Sequence, residues 1–201
     1  MYTTLEKVKR HFTSINDEFD PLLTDLITEV SSKIDGYCNR KLASDTYTDE
    51  VYNGSNVHGA PYSQLRLRNF PVISLSSLKY RSAHESTGDT FDTYGAEEYV
   101  TEAKTGLISM LGGFFSAGRA NIKVTYTAGY LIDFDSEDDD SLHTLPQEIT
   151  AVATSLVVQA FNQRQSHGTT SEQVGSNTIT YVDGMPKSAI EVLDKYRVYE
   201  F

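Results

Sequence analysis

Three features of the sequence predict an α+β fold. Residues 21–39 and 146–167 repeat apolar side chains every three or four positions, as helices with one buried face do. Between them, about 85 residues (46–130) change to alternating and β-branched side chains cut at short intervals by glycine. A hairpin-like segment and a last helix follow in residues 169–201. The two long amphipathic helices are expected to pack together and carry the β-rich insert to one side. Residues 1–168 form the expected core, and 169–201 a C-terminal extension.

The first helix is expected over residues 3–12. Thr3 and Glu6 have capping-box spacing, and Leu5, Val8 and Phe12 share one face. Residues 14–19 are polar and turn-like. Asp20-Pro21 supplies an N-cap and a proline at the first helical position. Leu22, Leu23, Leu26, Ile27, Val30, Ile34 and Cys38 then form one apolar stripe, on a helix roughly 27 Å long at 1.5 Å per residue. Cys38 continues that stripe and reads as a small core residue.

Strands are expected at residues 46–48, 64–68, 72–78 and 122–127, with Pro71 ahead of the third. Leu145-Pro146 opens the second long helix, with Ile149, Val152, Ala153, Leu156, Val157, Ala160 and Phe161 on one face. Arg164 falls in its last turn and Gly168 marks its stop. Residues 169–177 are polar, 178–182 strand-like, Asp183-Gly184 is a turn, and Pro186 opens the last helix.

Composition excludes several function classes. The 201 residues carry 17 Lys and Arg against 28 Asp and Glu, a net charge of −11. Gripping nucleic acid needs clustered positive charge, and an anionic membrane surface repels an acidic chain. A single cysteine allows no intrachain disulfide and no Cys-rich zinc site. Neither a secretory signal nor a transmembrane run is expected.

Catalytic patterns are missing as well. The 112–119 segment, Gly112-Gly113-Phe114-Phe115-Ser116-Ala117-Gly118-Arg119, has neither phosphate-loop spacing nor its lysine. Phe114 stands where a nucleophile elbow needs glycine, so the segment reads as a mobile turn between strands. His11, His58, His84, His143 and His167 show no metal-ligand spacing. Asn53-Gly54-Ser55 reads as a turn. No cofactor and no enzymatic activity are expected.

The sharpest charge feature is the acidic loop Asp133, Asp135, Glu137, Asp138, Asp139 and Asp140. An EF-hand starting at Asp133 would need glycine where Asp138 stands and glutamate where Thr144 stands, so a solvated, self-repelling loop is the better reading.

Three stretches together resemble one family. They are 2–9 continued by 22–27 and 34–40; 65–78, with Asn69-Phe70-Pro71-Val72 leading into a strand; and 118–130, from Gly118-Arg119 to Ala128-Gly129-Tyr130, followed by Leu145-Pro146 and the long helix. Their order and spacing resemble the head–tail connector (adaptor or head-completion) proteins of tailed bacteriophages and prophages. The longer acidic loop and residues 169–201 extend past the usual family pattern.

The resemblance implies a non-enzymatic structural protein of the virion neck, assembled in the cytoplasm of a bacterial host. It implies self-association in a ring of about twelve copies, bound between a portal protein and a downstream stopper or tail protein. Double-stranded DNA would pass through without specific binding. Twelve copies would total roughly −130 charges, and a negative lumen lets DNA slide where a basic one would hold it. Two expectations follow for sites. The acidic loop faces the channel, or else serves solubility alone. The tail residues Tyr196, Val198, Tyr199 and Phe201 dock on the portal or a neighbouring copy, or else close their own core. A stopper or tail-terminator role is the neighbouring alternative, and a small host enzyme or ligand-binding domain the remoter one.

Overall fold

The computed structural model describes residues 1–56, 58–81, 90–134, 144–164, 171–174, 177–180 and 185–198. It is α+β, with two compact units: Met1–Arg40 with Leu131–Phe201, and Lys41–Tyr130.

The first unit is built on two helices in contact, α2 (Asp20–Cys38) and α3 (Gln147–Gln163). The buried stripe of α2 is Leu23, Ile27, Val30, Ser31, Ile34 and Cys38. Leu22, expected on this stripe, is exposed. At 100° per residue it stands a full step round the helix from Leu23, which is completely buried. Asn39 ends α2 in the left-handed conformation that suits asparagine. On α3, Ile149, Val152, Ala153, Leu156, Val157 and Phe161 are buried.

The short α1 (Leu5–Lys9) ends three residues before its expected limit. Its cap is Thr4, whose Oγ1 accepts from the Lys7 N–H at 3.2 Å. Thr3, expected in a capping box with Glu6, is instead buried against α3, its hydroxyl 2.7 Å from that of Thr154. Phe12 and Phe19 meet the Phe161 ring edge-on. Lys9 lies 2.7 Å from Asp17 and 2.5 Å from Asp20, tying α1 to the start of α2. Asp20 thus opens α2 as an ion-pair partner and makes no capping bond of its own.

After α3, β8 (Ser171–Val174) and β9 (Asn177–Thr180) pair antiparallel. The polar reading of 169–177 missed β8, because Ser-Glu-Gln-Val carries almost no apolar alternation. Pro186 precedes α4 (Lys187–Leu193), which buries Ala189 and Leu193 and contacts α2 and α3.

The second unit is all β. A four-stranded antiparallel sheet has the order β1 (Asp45–Tyr52), β7 (Ile122–Ala128), β3 (Val72–Tyr80), β4 (Asp92–Thr93). A three-stranded one has the order β2 (Gln64–Arg66), β6 (Leu107–Met110), β5 (Tyr99–Glu102). Both contribute to one core: Leu78, Ile122, Val124, Tyr126 and Ala128 from the first, Leu65 and Ile108 from the second, with Leu67, Tyr94 and Phe115. β7 alternates buried and half-buried residues along its whole length, as the period-2 pattern predicts.

The 112–119 segment is more constrained than a mobile turn. Phe115 is buried, and the Ser116 N–H donates to the Tyr94 hydroxyl at 2.8 Å. The buried Asn121 side chain accepts from the Gly54 N–H at 2.9 Å and donates to the Ser116 carbonyl at 2.9 Å. Gly54 sits so close to this segment that a Cβ there would lie 1.9 Å from the Ser116 carbonyl oxygen. Gly129 has φ +115, where a side chain would also strike the Ala43 backbone at 2.6 Å.

Candidate functional site

The sequence points to two surfaces of the first unit. Of the acidic loop, Asp133 is half-buried and its neighbour Phe134 lies beneath the Lys7 ammonium, 4.4 Å from the ring centroid. Asp135, Glu137, Asp138, Asp139 and Asp140 lie outside the described residues. The base of the loop is closed by a reciprocal pair. The Thr144 N–H donates to the Leu131 carbonyl, and the Leu131 N–H donates to the Thr144 hydroxyl, both at 2.9 Å. Thr144, which breaks the calcium motif, therefore has a structural use: it pins the two ends of the acidic segment together.

The tail is anchored on its own unit as far as Val198. Its N–H donates to the Cys38 carbonyl at 2.9 Å, and its carbonyl accepts from the Asn39 side chain at 3.1 Å. The Arg40 guanidinium donates to the Tyr196 carbonyl at 2.9 Å. The Val198 N–H caps the C-terminal turn of α2, where carbonyls lack helical partners, while Asn39 and Arg40 hold the tail through its own carbonyls. The Tyr196 hydroxyl donates to Glu148, and Lys195 pairs with the same carboxylate at 2.9 Å. Together they hold the Glu148 carboxyl below the usual carboxylate range, the tyrosine bond being the larger cause. The Tyr37 hydroxyl donates to Asp194, which raises the Tyr37 pKa. Tyr199 and Phe201 lie outside the described residues.

Cys38 is fully buried, and desolvation pushes its thiol up to about 11. A thiol so rarely ionised is a poor nucleophile and a poor metal ligand. His11 and His58 are exposed, while His84, His143 and His167 lie outside the described residues. Among the described residues no three His, Cys, Asp or Glu side chains converge on a metal position, and no helix is long and apolar enough to cross a membrane.

The β unit holds one polar cluster that sequence patterns did not reveal. Glu50 accepts from the hydroxyls of Tyr52 and, at 2.6 Å, Tyr126, and pairs with Arg68 at 3.1 Å. The Arg68 N–H donates back to the Tyr52 hydroxyl at 3.0 Å. Burial pushes the Tyr126 phenol up to about 12 and raises Tyr52 further, so both stay neutral donors to the carboxylate. The cluster braces β1, β7 and the end of β2. Spacing could have signalled only its Glu50-Tyr52 part, two residues apart on one strand face.

The sequence reading also missed a surface on this unit. Val100, Leu111 and Phe114 are all more than half exposed, and Tyr62 is 39% exposed.

Comparison with known proteins agrees with this architecture. The description "Head completion protein" belongs to a family whose model matches residues 2–199. No curated protein matches the chain. Among solved structures, the fold is similar to a chain from the neck of an empty GTA particle computed with C6 symmetry. The TM-score is 0.53 at 15% identity, covering 98% of this chain and 89% of that one. A chain from the virion of a native gene transfer agent particle gives 0.52 at 13% identity, with the same coverages. A chain from the neck of a native GTA particle computed with C12 symmetry gives 0.51 at 14%, covering 92% and 86%. The chain belongs to the head completion protein family, as the resemblance in its sequence implies.

Proposed function

We propose that this protein is a ring-forming neck adaptor without enzymatic activity, about twelve copies of which seat between a portal protein and a downstream stopper or tail protein. The observation that carries this reading is the match to the head completion family along residues 2–199. The likeness of fold to chains from particle necks computed with sixfold and twelvefold symmetry supports a closed ring. In this reading the ring assembles on the portal in the bacterial host cytoplasm and surrounds the path of the exiting genome.

The distribution of charge supports a channel role. The helical unit carries 9 Lys and Arg against 19 Asp and Glu, a net of −10, while the β unit carries 8 against 9, a net of −1. Nearly all the phosphate-repelling charge is therefore in one unit, and we place its acidic loop, Asp133 to Asp140, at the lumen or its mouth. The C-terminal residues beyond the Val198 anchor, Tyr199 and Phe201, are the portal-docking element in this reading.

Mixing the purified chain with portal and imaging by electron microscopy tests the proposal. Rings of about twelve copies on the portal are expected, and a truncation lacking residues 199–201 should lose portal binding while keeping its far-ultraviolet circular dichroism. Absence of any portal complex from the full chain would overturn the adaptor reading.

A further inference from the structure

The β unit turns two different faces to solvent. Its two sheets share one core, so each has one face buried against that core and one turned away from it. On the three-stranded sheet the outward rows are Arg66, Leu107 and Glu102, then Gln64, Ser109 and Val100. Leu111, two residues past Ser109, continues the outward series, and its N–H donates to the Glu98 carbonyl. On the four-stranded sheet, Val51, Lys123, Lys79 and Thr93 stand side by side in one outward row. Thr125, and then Thr127 beside Thr46, follow on the same face of β7. Their hydroxyls already have partners within the chain. Those of Thr46 and Thr127 lie 3.0 Å apart, and that of Thr125 accepts from the Asp49 N–H at 3.0 Å.

Each side also exposes apolar side chains. Tyr62, Val100, Leu111 and Phe114 are exposed on the three-stranded side, and Val51 and Ile73 on strands of the four-stranded sheet. Among the described residues the charges of the two sides differ in sign. The three-stranded side carries Glu97, Glu98 and Glu102 against Arg66 and Lys104, a net of −1. The four-stranded side carries Lys79, Arg81 and Lys123 against Asp49, a net of +2. Lys79 is taken by Asp49 at 3.4 Å. Lys123 and Arg81 instead lie against the Phe91 ring, 4.3 and 5.5 Å from its centroid, and neither pairs with a carboxylate among the described residues.

We infer that the outward face of the three-stranded sheet of one copy packs on the outward face of the four-stranded sheet of the next, so that successive β units join head to tail. The inference rests on the ring reading and deepens it by naming the two surfaces that build the ring. Because the faces differ, each copy offers one and receives the other, and the contact is heterologous: it propagates from copy to copy where a face meeting its own kind stops at a dimer. In a ring of twelve each copy turns about 30° from its neighbour, so the two joining surfaces must lie on nearly opposite sides of the unit that carries them. Two sheets flanking one core supply such a pair. Val100, Leu111 and Phe114 form the apolar centre of the contact, over Val51 and the threonine rows, with charge at its rim. Glu98 and Glu102 along β5 supply the carboxylates that Lys123 and Arg81 take. A face set on its own kind brings like charges together and gains no such pair.

Cysteine cross-linking of the full chain in the presence of portal tests this. Cys38 is buried with its thiol pushed up to about 11, so the native background is low. With a short bismaleimide, Val51→Cys alone and Val100→Cys alone should each give no cross-linked dimer, because neither face meets itself. A mixture of the two single variants should give dimers and nothing longer, and the double variant should give a ladder beyond dimers. As a second readout, Leu111→Asp replaces a side chain that is 64% exposed, so it should keep the urea midpoint while lowering the yield of portal-bound rings severalfold. A ladder from the double variant alone, with loss of rings in Leu111→Asp, supports the inference. Dimers from either single variant, portal-bound rings without a ladder, or rings undiminished by Leu111→Asp overturn these surfaces and leave the ring reading standing. Absence of portal-bound rings from the unmodified chain overturns both.

Discussion

The two units solve the problem of a small core in opposite ways. The helical unit buries largely aliphatic stripes of α2 and α3, with small hydroxyl contacts such as Thr3 to Thr154 among them, and keeps its charged contacts at the margin, where the tail caps α2 and Tyr196 meets Glu148. The β unit places polar side chains inside. Asn121 links Gly54 to Ser116, and Glu50 gathers Tyr52, Tyr126 and Arg68. A helix satisfies its own backbone, so its core can be purely apolar. Short strands and long turns leave backbone groups that only side chains can reach, and a buried asparagine is a compact way to reach several. The difference predicts where each unit breaks: the helical one through lost volume, the β one through lost geometry.

The largest effect should come from the tightest geometry. Gly54→Ala forces a Cβ against the backbone carbonyl of Ser116, which cannot rotate aside as a side-chain tip would. The expected destabilisation is more than about 5 kcal/mol, read as a lower urea midpoint with an unchanged slope. In the helical unit, Leu193→Ala empties a fully buried site on α4 and should cost about 2–5 kcal/mol. If Gly54→Ala were neutral, the β unit would be as forgiving as the helical one and the contrast would be lost.

This contrast also explains what the sequence disclosed. The α2 and α3 stripes were legible because long periodic segments announce their buried face, and β7 was legible by its alternation. The short β5 and β6 were hidden behind glycine punctuation, since four residues provide too little alternation to tell strand from turn. Thr3 shows a different limit. Its spacing to Glu6 satisfies a local rule, yet a hydroxyl partner 151 residues away takes it into the core. Of the candidate surfaces, the tail could be found from its aromatic composition, but its anchoring on Cys38 and Asn39 depends on contacts no local pattern encodes.

A medium effect is expected at the polar cluster. Glu50→Ala leaves two buried phenols without their acceptor and should cost about 1–3 kcal/mol. The wild type should also lose stability in alkali. Tyr126 has its pKa raised when folded, so its contribution is complete below pH 10, the ordinary tyrosine value, and declines as the pH rises towards about 12. A tyrosinate absorbance titration should show a late-ionising class that moves earlier on unfolding. Early ionisation of every tyrosine in the folded protein would contradict the burial assigned to Tyr52 and Tyr126.

The smallest effect should sit at the margin of the helical unit, where it distinguishes a latch from a pillar. Glu148 is held below the ordinary glutamate range by the Tyr196 hydroxyl and then by Lys195. A depressed carboxyl contributes stability that is present above its unfolded value and lost as the pH falls through its folded value. Acid should therefore loosen the tail before it unfolds the cores. Glu148→Gln keeps an acceptor for Tyr196 but removes the ion pair with Lys195, so at neutral pH it should raise hydrogen exchange in residues 187–198 while leaving α2 and β7 protected. A variant that exposes all three segments equally would make the tail part of the global folding unit. Selective exposure would mean that the tail opens on its own, as a segment that must also reach a partner would have to do.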